Sequence, residues 1–311
     1  MDRSIGVFAG VGNTPLVELS RVVPKNGARV VAKLEWSNPT GSMKDRMTGT
    51  AIESAVRDGR LAPGGTVVEY TAGTTGISLA FACAALGYGL HIVYSDAFSQ
   101  EKRKTMLAFG ATVEDITSDK GRITEALIKA MIARADEVAA QPGRWFFDQL
   151  NNYDAITGYL PMGEEIWTQT GGEVVAFVHA VGTAHSIHGV ARALHKHNPA
   201  VKIIAVEPAE SPVLSGGASG SNRIEGIGIG FIPPLWEPDQ VDEIVQVSYE
   251  EAREMAQRLA KEEGLFAGTS SGANVVAALR VAEHLGPGAT VATILVDSGF
   301  RYLSTELYRT T

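Results

Sequence analysis

Apolar, β-branched runs alternate with longer segments of helical period along almost the whole chain, and this alternation constrains the fold more than any other feature. Runs at 30–34, 66–70, 91–94, 112–115, 174–179, 202–207 and 291–296 predict strands. Segments at 42–57, 75–86, 100–109, 123–139, 155–168, 185–196, 249–263 and 272–284 predict helices. Strands this apolar leave no face for water, so both faces must be covered, as in open, mainly parallel twisted sheets flanked by helices. Turn signals fall where such a fold needs them, at Pro63-Gly64-Gly65, Gly171-Gly172 and Gly286-Pro287-Gly288, each just before a strand. The fold class is α/β.

With 311 residues the chain suffices for one large α/β domain or two modest ones. The formal charge is −8, from 35 acidic residues against 27 Lys and Arg, which argues against a nucleic-acid or anionic-membrane partner. Cys83 is the single cysteine, so no intramolecular disulfide forms and a reducing compartment is expected. It lies in an apolar helical run, where a buried structural thiol is expected over a nucleophile. The N-terminal Met1-Asp2-Arg3-Ser4-Ile5 has no signal-peptide character, and the most apolar stretch, 77–90, is too short to cross a bilayer. A cytoplasmic protein is expected.

In open α/β sheets, ligands sit beyond the carboxyl ends of strands, where helix N-termini offer free N–H groups. Two loops of this kind are Thr71-Ala72-Gly73-Thr74-Thr75-Gly76 and Gly182-Thr183-Ala184-His185-Ser186. A third, Gly268-Thr269-Ser270-Ser271-Gly272, opens a helix. None is a dinucleotide fingerprint or a P-loop. The alternate glycines Gly226, Gly228 and Gly230 precede prolines rather than a helix, and read as a close backbone approach. No His/Cys/Asp/Glu cluster has metal-ligand spacing and no Ser/His/Asp arrangement is evident; His188, His195 and His197 read as a polar helix face. The 249–263 helix, with charges along one side, reads as a solvated face.

The most informative segment is Asn38-Pro39-Thr40-Gly41-Ser42-Met43-Lys44-Asp45-Arg46. Pro39 and Gly41 make a turn, Ser42 suits an N-cap, and Lys44 falls in the first helical turn. The helix dipole disfavours an ammonium there, and desolvation acts in the same direction, leaving the neutral amine that Schiff-base chemistry needs. The alternative is a surface lysine paired with Asp45.

Around that segment the chain resembles the cysteine synthase and cystathionine β-synthase family of fold-type II pyridoxal-phosphate enzymes. The resemblance runs nearly end to end, through Gly12-Asn13-Thr14-Pro15-Leu16, the lysine segment, the stretch 101–111, the stretch 206–217, the run 226–233 and the stretch 297–305. It implies a tryptophan synthase β-like architecture, with a smaller mobile domain over 40–150, a larger cofactor-anchoring domain over 1–39 and 151–311, and pyridoxal 5'-phosphate between them. A homodimer acting on a small amino acid is implied too.

Carried over position by position, the resemblance gives each residue a role. Lys44 would bind the cofactor covalently and later move the α-proton. Gly182, Thr183, Ala184, His185 and Ser186 would cradle its phosphate, Ser270 would bond the pyridine nitrogen, and Thr74 would stand by the ring oxygen. Thr71, Ala72, Gly73, Thr75 and Gln149 would hold the substrate carboxylate, with Gly226 and Ile227 beside the ring and the amino group.

Departures from the family pattern cluster at these positions. Ala72 replaces a serine, Thr74 an asparagine, and Ala184-His185 a glycine pair, while Phe300 stands where many relatives have Glu and Gly158 where His is common. His185 reads either as a phosphate-side contact or as an acid–base group. The resemblance implies β-replacement on an activated serine-type amino acid through an aminoacrylate intermediate, with altered substrate specificity. The alternatives are β-elimination by a deaminase or desulfhydrase, and a catalytically weakened cofactor-binding relative that serves as a partner or regulator.

Overall fold

The chain begins its first sheet with β1 (Leu16–Glu18) and its antiparallel neighbour β2 (Arg29–Leu34). There follow α1 (Lys44–Arg57), β3 (Thr66–Tyr70), α2 (Thr74–Leu86), β4 (Gly89–Ser95), α3 (Gln100–Ala108) and β5 (Thr112–Ile116). Next come α4 (Glu125–Ala139), β6 (Arg144–Phe146), α5 (Asp154–Thr157), α6 (Leu160–Gln169), β7 (Val174–Ala180) and α7 (His185–His197). The chain closes with β8 (Lys202–Pro208), β9 (Glu243–Val247), α8 (Tyr249–Arg258), α9 (Thr269–Leu285) and β10 (Thr290–Leu295). This computed structural model describes residues 6–121, 124–303 and 305–308.

The chain divides into two compact units, Met1–Val11 with Lys44–Gly158, and Gly12–Met43 with Tyr159–Thr311. The first holds a wholly parallel sheet in the order β5-β4-β3-β6. The second holds β1-β2-β10-β7-β8-β9, parallel except for β1. Every residue of β10 is buried, whereas the edge strands β1, β5 and β9 are partly exposed. Burial on both faces of the inner strands explains their unbroken apolar runs. Fully buried side chains such as Leu79, Ile92 and Phe177 each contribute roughly 1.5–3 kcal/mol by leaving water. Short strands β1 and β6 and the half-exposed β9 carry no such run, and the sequence pattern alone passes over them.

The division falls after Met43 and after Gly158 rather than at 40 and 150. Phe8 packs its ring 5.3 Å from that of Phe81, which groups residues 6–11 with the first unit. The single helix expected over 155–168 is two helices, α5 and α6, one in each unit. A Cβ on Gly158 would lie 2.6 Å from the Arg46 carbonyl oxygen, so α5 and α1 approach as closely as glycine permits, and Pro161 in the first turn of α6 opens the new helix.

Other ends shift for local reasons. Helix α1 starts at Lys44, so Ser42 is not its N-cap; Ser42 instead bridges Asp297. Helix α9 starts at Thr269, which places Ser270 inside its first turn. Helix α8 ends at Arg258 and passes into a π-helical turn, Leu259–Glu263, closed by Gly264 at φ 71°. Its start is a capping box of Ser248 and Glu251. The buried Tyr249, Ala252, Met255 and Ala256 pack it on α9, where a Cβ on Gly272 would meet the Ala252 oxygen at 1.9 Å. The opposite side carries ion pairs such as Arg258–Glu262. Thr124 caps α4; Ile123, expected to begin that helix, lies outside the described residues, as do Met1 to Ile5 and Ser304.

Candidate functional site

The lysine loop is built into the second unit before it reaches Lys44. Buried Lys33 donates from Nζ to the Thr14 carbonyl at 2.6 Å and to Gln169 Oε1 at 2.8 Å, and pairs with Glu165 at 2.7 Å. Thr14 Oγ1 donates to Glu35 at 2.7 Å, and Asn38 Nδ2 donates to Glu35 Oε2 at 2.9 Å. Gly12 N–H donates to Asn38 Oδ1 at 2.8 Å. Such a satisfied buried network holds one geometry, because breaking any member leaves a buried polar group unpaired. Downstream, Met43 N–H donates to the Val296 carbonyl at 3.0 Å, Ser298 N–H to that of Gly41 at 3.2 Å, and Arg301 to that of Thr40. Lys44 is the next residue. It is half-buried and its neighbour Asp45 fully buried.

In the first unit, Thr71 to Thr75 link β3 to α2. Gly73 takes φ 130° and its N–H donates to Thr71 Oγ1 at 3.0 Å. A Cβ there would meet Lys102 Cδ at 2.4 Å, so the stem of buried Lys102 lies across the turn. Ala72 is exposed, Thr74 half-buried and Thr75 buried. Gln149 is brought to this loop: its Nε2 donates to the Tyr70 carbonyl at 3.1 Å, and its N–H to Glu69 Oε2 at 3.0 Å. Glu69, fully buried beneath, has its carboxyl pushed well above the usual range by burial, against the opposing pull of the Gln149 and Tyr70 N–H groups. Neither Lys102 nor Glu69 was singled out in the sequence: Glu69 belongs to no motif, and Lys102, although inside the stretch 101–111, has no role that the stretch itself reveals.

In the second unit, Gly182 to Ser186 link β7 to α7. A Cβ on Gly182 would meet the Gly226 carbonyl oxygen at 2.4 Å, and Gly228 N–H donates to the Val181 carbonyl at 3.1 Å. Gly226 and Ile227 are thus placed against the loop, as the reading of the alternate glycines expects. Ala184 takes φ 68° as N-cap of α7. Thr183 Oγ1 and His185 Nδ1 lie 2.7 Å apart, with His185 buried. Ser186 Oγ lies 2.7 Å from His179 Nε2. Ser270 is buried in the first turn of α9, beside Thr269, whose Oγ1 is buried and has no hydrogen-bond partner among the described residues.

The other histidines divide. His188 is not on a polar face: it is fully buried, its Nε2 accepts from Glu237 N–H at 3.1 Å, and its ring packs on Trp236. His197 stacks on Trp167 and pairs with Glu164 at the surface. Cys83 is buried, and burial pushes its thiol up to about 12, which makes it a poor nucleophile. Phe300 is 75 % exposed and sets its ring edge against Phe266, 5.2 Å between centroids.

Residues 7–297 match the family model described as pyridoxal-phosphate dependent enzyme. The chain belongs to that family. A cysteine synthase from Staphylococcus aureus is 43% identical over 300 residues, covering 96% of this chain and 95% of that one. Among solved structures, O-acetyl serine sulfhydrylase isoform 3 from Entamoeba histolytica superposes with a TM-score of 0.92 at 40% identity, covering 98% of this chain and 91% of that one. The O-acetylserine dependent cystathionine beta-synthase from Helicobacter pylori gives 0.90 at 35% identity and covers 98% of each. The fold is that of fold-type II pyridoxal-phosphate enzymes of the cysteine synthase type, and the cofactor is pyridoxal phosphate.

The pyridoxal-phosphate enzyme's own residues fit this cofactor. Left-handed Ala184 at the N-cap of α7 is a backbone conformation suited to holding an anion at the positive end of that helix. Gly182 is required there by packing, since a Cβ would run into the Gly226 carbonyl oxygen. The unpartnered Thr269 hydroxyl next to Ser270 marks a second buried polar position suited to a polar ligand.

Proposed function

We propose that the protein catalyses β-replacement on an activated serine-type amino acid, with a donor or nucleophile different from that of an unaltered cysteine synthase. The observation that carries this reading is the contrast between an intact lysine loop, clamped as far as Met43, and a carboxylate loop in which Ala72 and Thr74 replace polar groups. The names of the similar proteins, acting on O-acetylserine or making cysteine or cystathionine, support a donor of that chemical class.

Pyridoxal phosphate, when bound, supplies an electron-accepting ring that stabilises negative charge at the substrate α-carbon. Lys44 Nζ would hold it covalently and carry the proton to and from that carbon. Gly182 to Ser186 would bind its phosphate through N–H groups and hydroxyls. Ser270 would face the ring nitrogen with a neutral hydroxyl, which suits β-chemistry over transamination. The α2 N-terminus, with Thr71, Gly73 and Thr75, would bind the substrate carboxylate, and Gln149, its Nε2 held at the Tyr70 carbonyl, would offer its second N–H to the same group. We assign His185 to the phosphate loop, one ring nitrogen engaged by Thr183. Gly226 and Ile227 would border the ring. We further propose a cytoplasmic homodimer; among the described residues no helix is long and apolar enough to cross a membrane.

The test is an absorbance spectrum of purified protein, alone and titrated with O-acetylserine, O-phosphoserine, serine and cysteine. A visible cofactor band, lost in Lys44→Ala and shifted by one donor, supports the reading and names the donor. Pyruvate and ammonia formed without an added nucleophile would favour β-elimination. A band that no donor perturbs would point to a partner or regulator, and no band after adding cofactor would sink the enzyme reading.

A further inference from the structure

Behind the phosphate loop lies a buried chain of polar groups that the proposed roles do not use. His179 on β7 is 1% exposed and Asn274 on α9 is fully buried. We propose that His179 and Asn274 are positioning residues that lock the Ser186 hydroxyl as a hydrogen-bond donor to the phosphate dianion at the α7 N-terminus. The proposal deepens the cofactor reading above and rests on it.

The direction of every hydrogen bond follows from the backbone. Asn274 Oδ1 accepts from Ala180 N–H at 2.7 Å, and Nδ2 donates to the Ile294 carbonyl at 2.7 Å. Flipping the amide would set donor against donor and acceptor against acceptor, so its orientation is fixed. The second Nδ2 proton then faces His179 Nδ1 at 3.2 Å. A ring nitrogen facing a donor must accept, so the imidazole carries its proton on Nε2. That nitrogen lies 2.7 Å from Ser186 Oγ and donates to it. The serine proton therefore cannot point back at the ring.

Without this relay, a serine in a first helical turn rotates freely and bonds nearby carbonyls or water. With it, the proton is held outward before the ligand arrives, and the ordering need not be supplied on binding. Ser186 accepts from His179 and gives its own proton to an oxygen of the dianion, a bond to a charged acceptor. The Ala180 N–H and the Ile294 carbonyl set the orientation, so the effect is transmitted from the sheet to the loop without a moving part.

The experiment uses the apoprotein of the full chain. A long-range proton–nitrogen correlation spectrum reads the tautomer of His179, assigned by the signal missing in His179→Gln. Titrations with pyridoxal phosphate and with inorganic phosphate then read affinity. Ser186→Ala should raise Kd by about 10- to 100-fold, the scale of a hydrogen bond to a charged group. His179→Ala should raise it about 3- to 10-fold, and should add nothing in the Ser186→Ala background. His179→Gln, whose amide can return an N–H to the Nε2 position, should recover most of the affinity. A proton found on Nδ1, wild-type affinity in His179→Ala, or an undiminished His179 effect without Ser186 would overturn the relay while leaving the cofactor reading intact. Wild-type apoprotein that binds no pyridoxal phosphate would overturn both.

Discussion

The carbonyl oxygen of Gly226 occupies the place where a side chain on Gly182 would begin, 2.4 Å from an ideal Cβ. The contact is backbone against backbone, so neither partner can yield by turning a side chain. Gly182→Ala should cost about 1–3 kcal/mol of stability, the usual range for overpacking. It should also weaken pyridoxal phosphate binding, because relief of the clash moves the loop that precedes α7. Urea unfolding with and without cofactor checks both; a variant with unchanged midpoint and affinity would show that the approach is not tight.

Acid should destabilise the protein through His188. Burial pushes this imidazole down to about 4, from an ordinary 6.5, and only the neutral ring can accept the Glu237 N–H. The unfolded chain takes up the proton near 6.5 and the folded one not until about 4, so the unfolded state binds more protons between them. Stability from this group is present above 6.5 and is lost as the pH falls to about 4, a total of about 3 kcal/mol. Unfolding free energies measured across that window should fall less steeply in His188→Gln, which can accept the same bond and does not titrate. Parallel curves would assign the acid sensitivity elsewhere.

Gly158→His should not be tolerated. Its Cβ would sit 2.6 Å from the Arg46 oxygen and 2.7 Å from Met47 Cα. We expect a loss of about 3 kcal/mol or more, since the backbone of α1 would have to move. Thermal melts of the purified variant decide it.

Restoring the family pattern in the carboxylate loop tests the proposed change of specificity. Ala72→Ser with Thr74→Asn should raise kcat/KM for O-acetylserine and sulfide by about 10-fold or more, on the scale of one or two regained hydrogen bonds. Steady-state kinetics on both proteins would show it, and no gain would mean that these positions do not set the donor.

Most of the fold was legible because its inner strands are buried on both faces and so carry continuous apolar runs, as at β7 and β10. The edge strands β1, β6 and β9 were not, because short or half-solvated strands need no such run. Helix breaks escaped for a related reason: the residues flanking Gly158 keep a helical period, and only the approach of α1 shows why the chain divides there.

The site divides along the same line. The Thr71–Thr75, Gly182–Ser186 and Gly268–Gly272 loops were readable as turns that open helices because they are contiguous in sequence, while the expected roles of Lys44 and Ser270 came from the family resemblance. Glu69, His179, His188 and Asn274 stand in no motif. His179 and Asn274 meet across 95 positions of sequence, and Glu69 and Gln149 across 80. By itself the sequence determined the alternation of strands and helices, the family, and the loops that follow the strands, all of which depend on neighbours along the chain. Tertiary structure alone decided which polar side chains are buried together, because burial and hydrogen-bond direction depend on groups that only folding brings within reach.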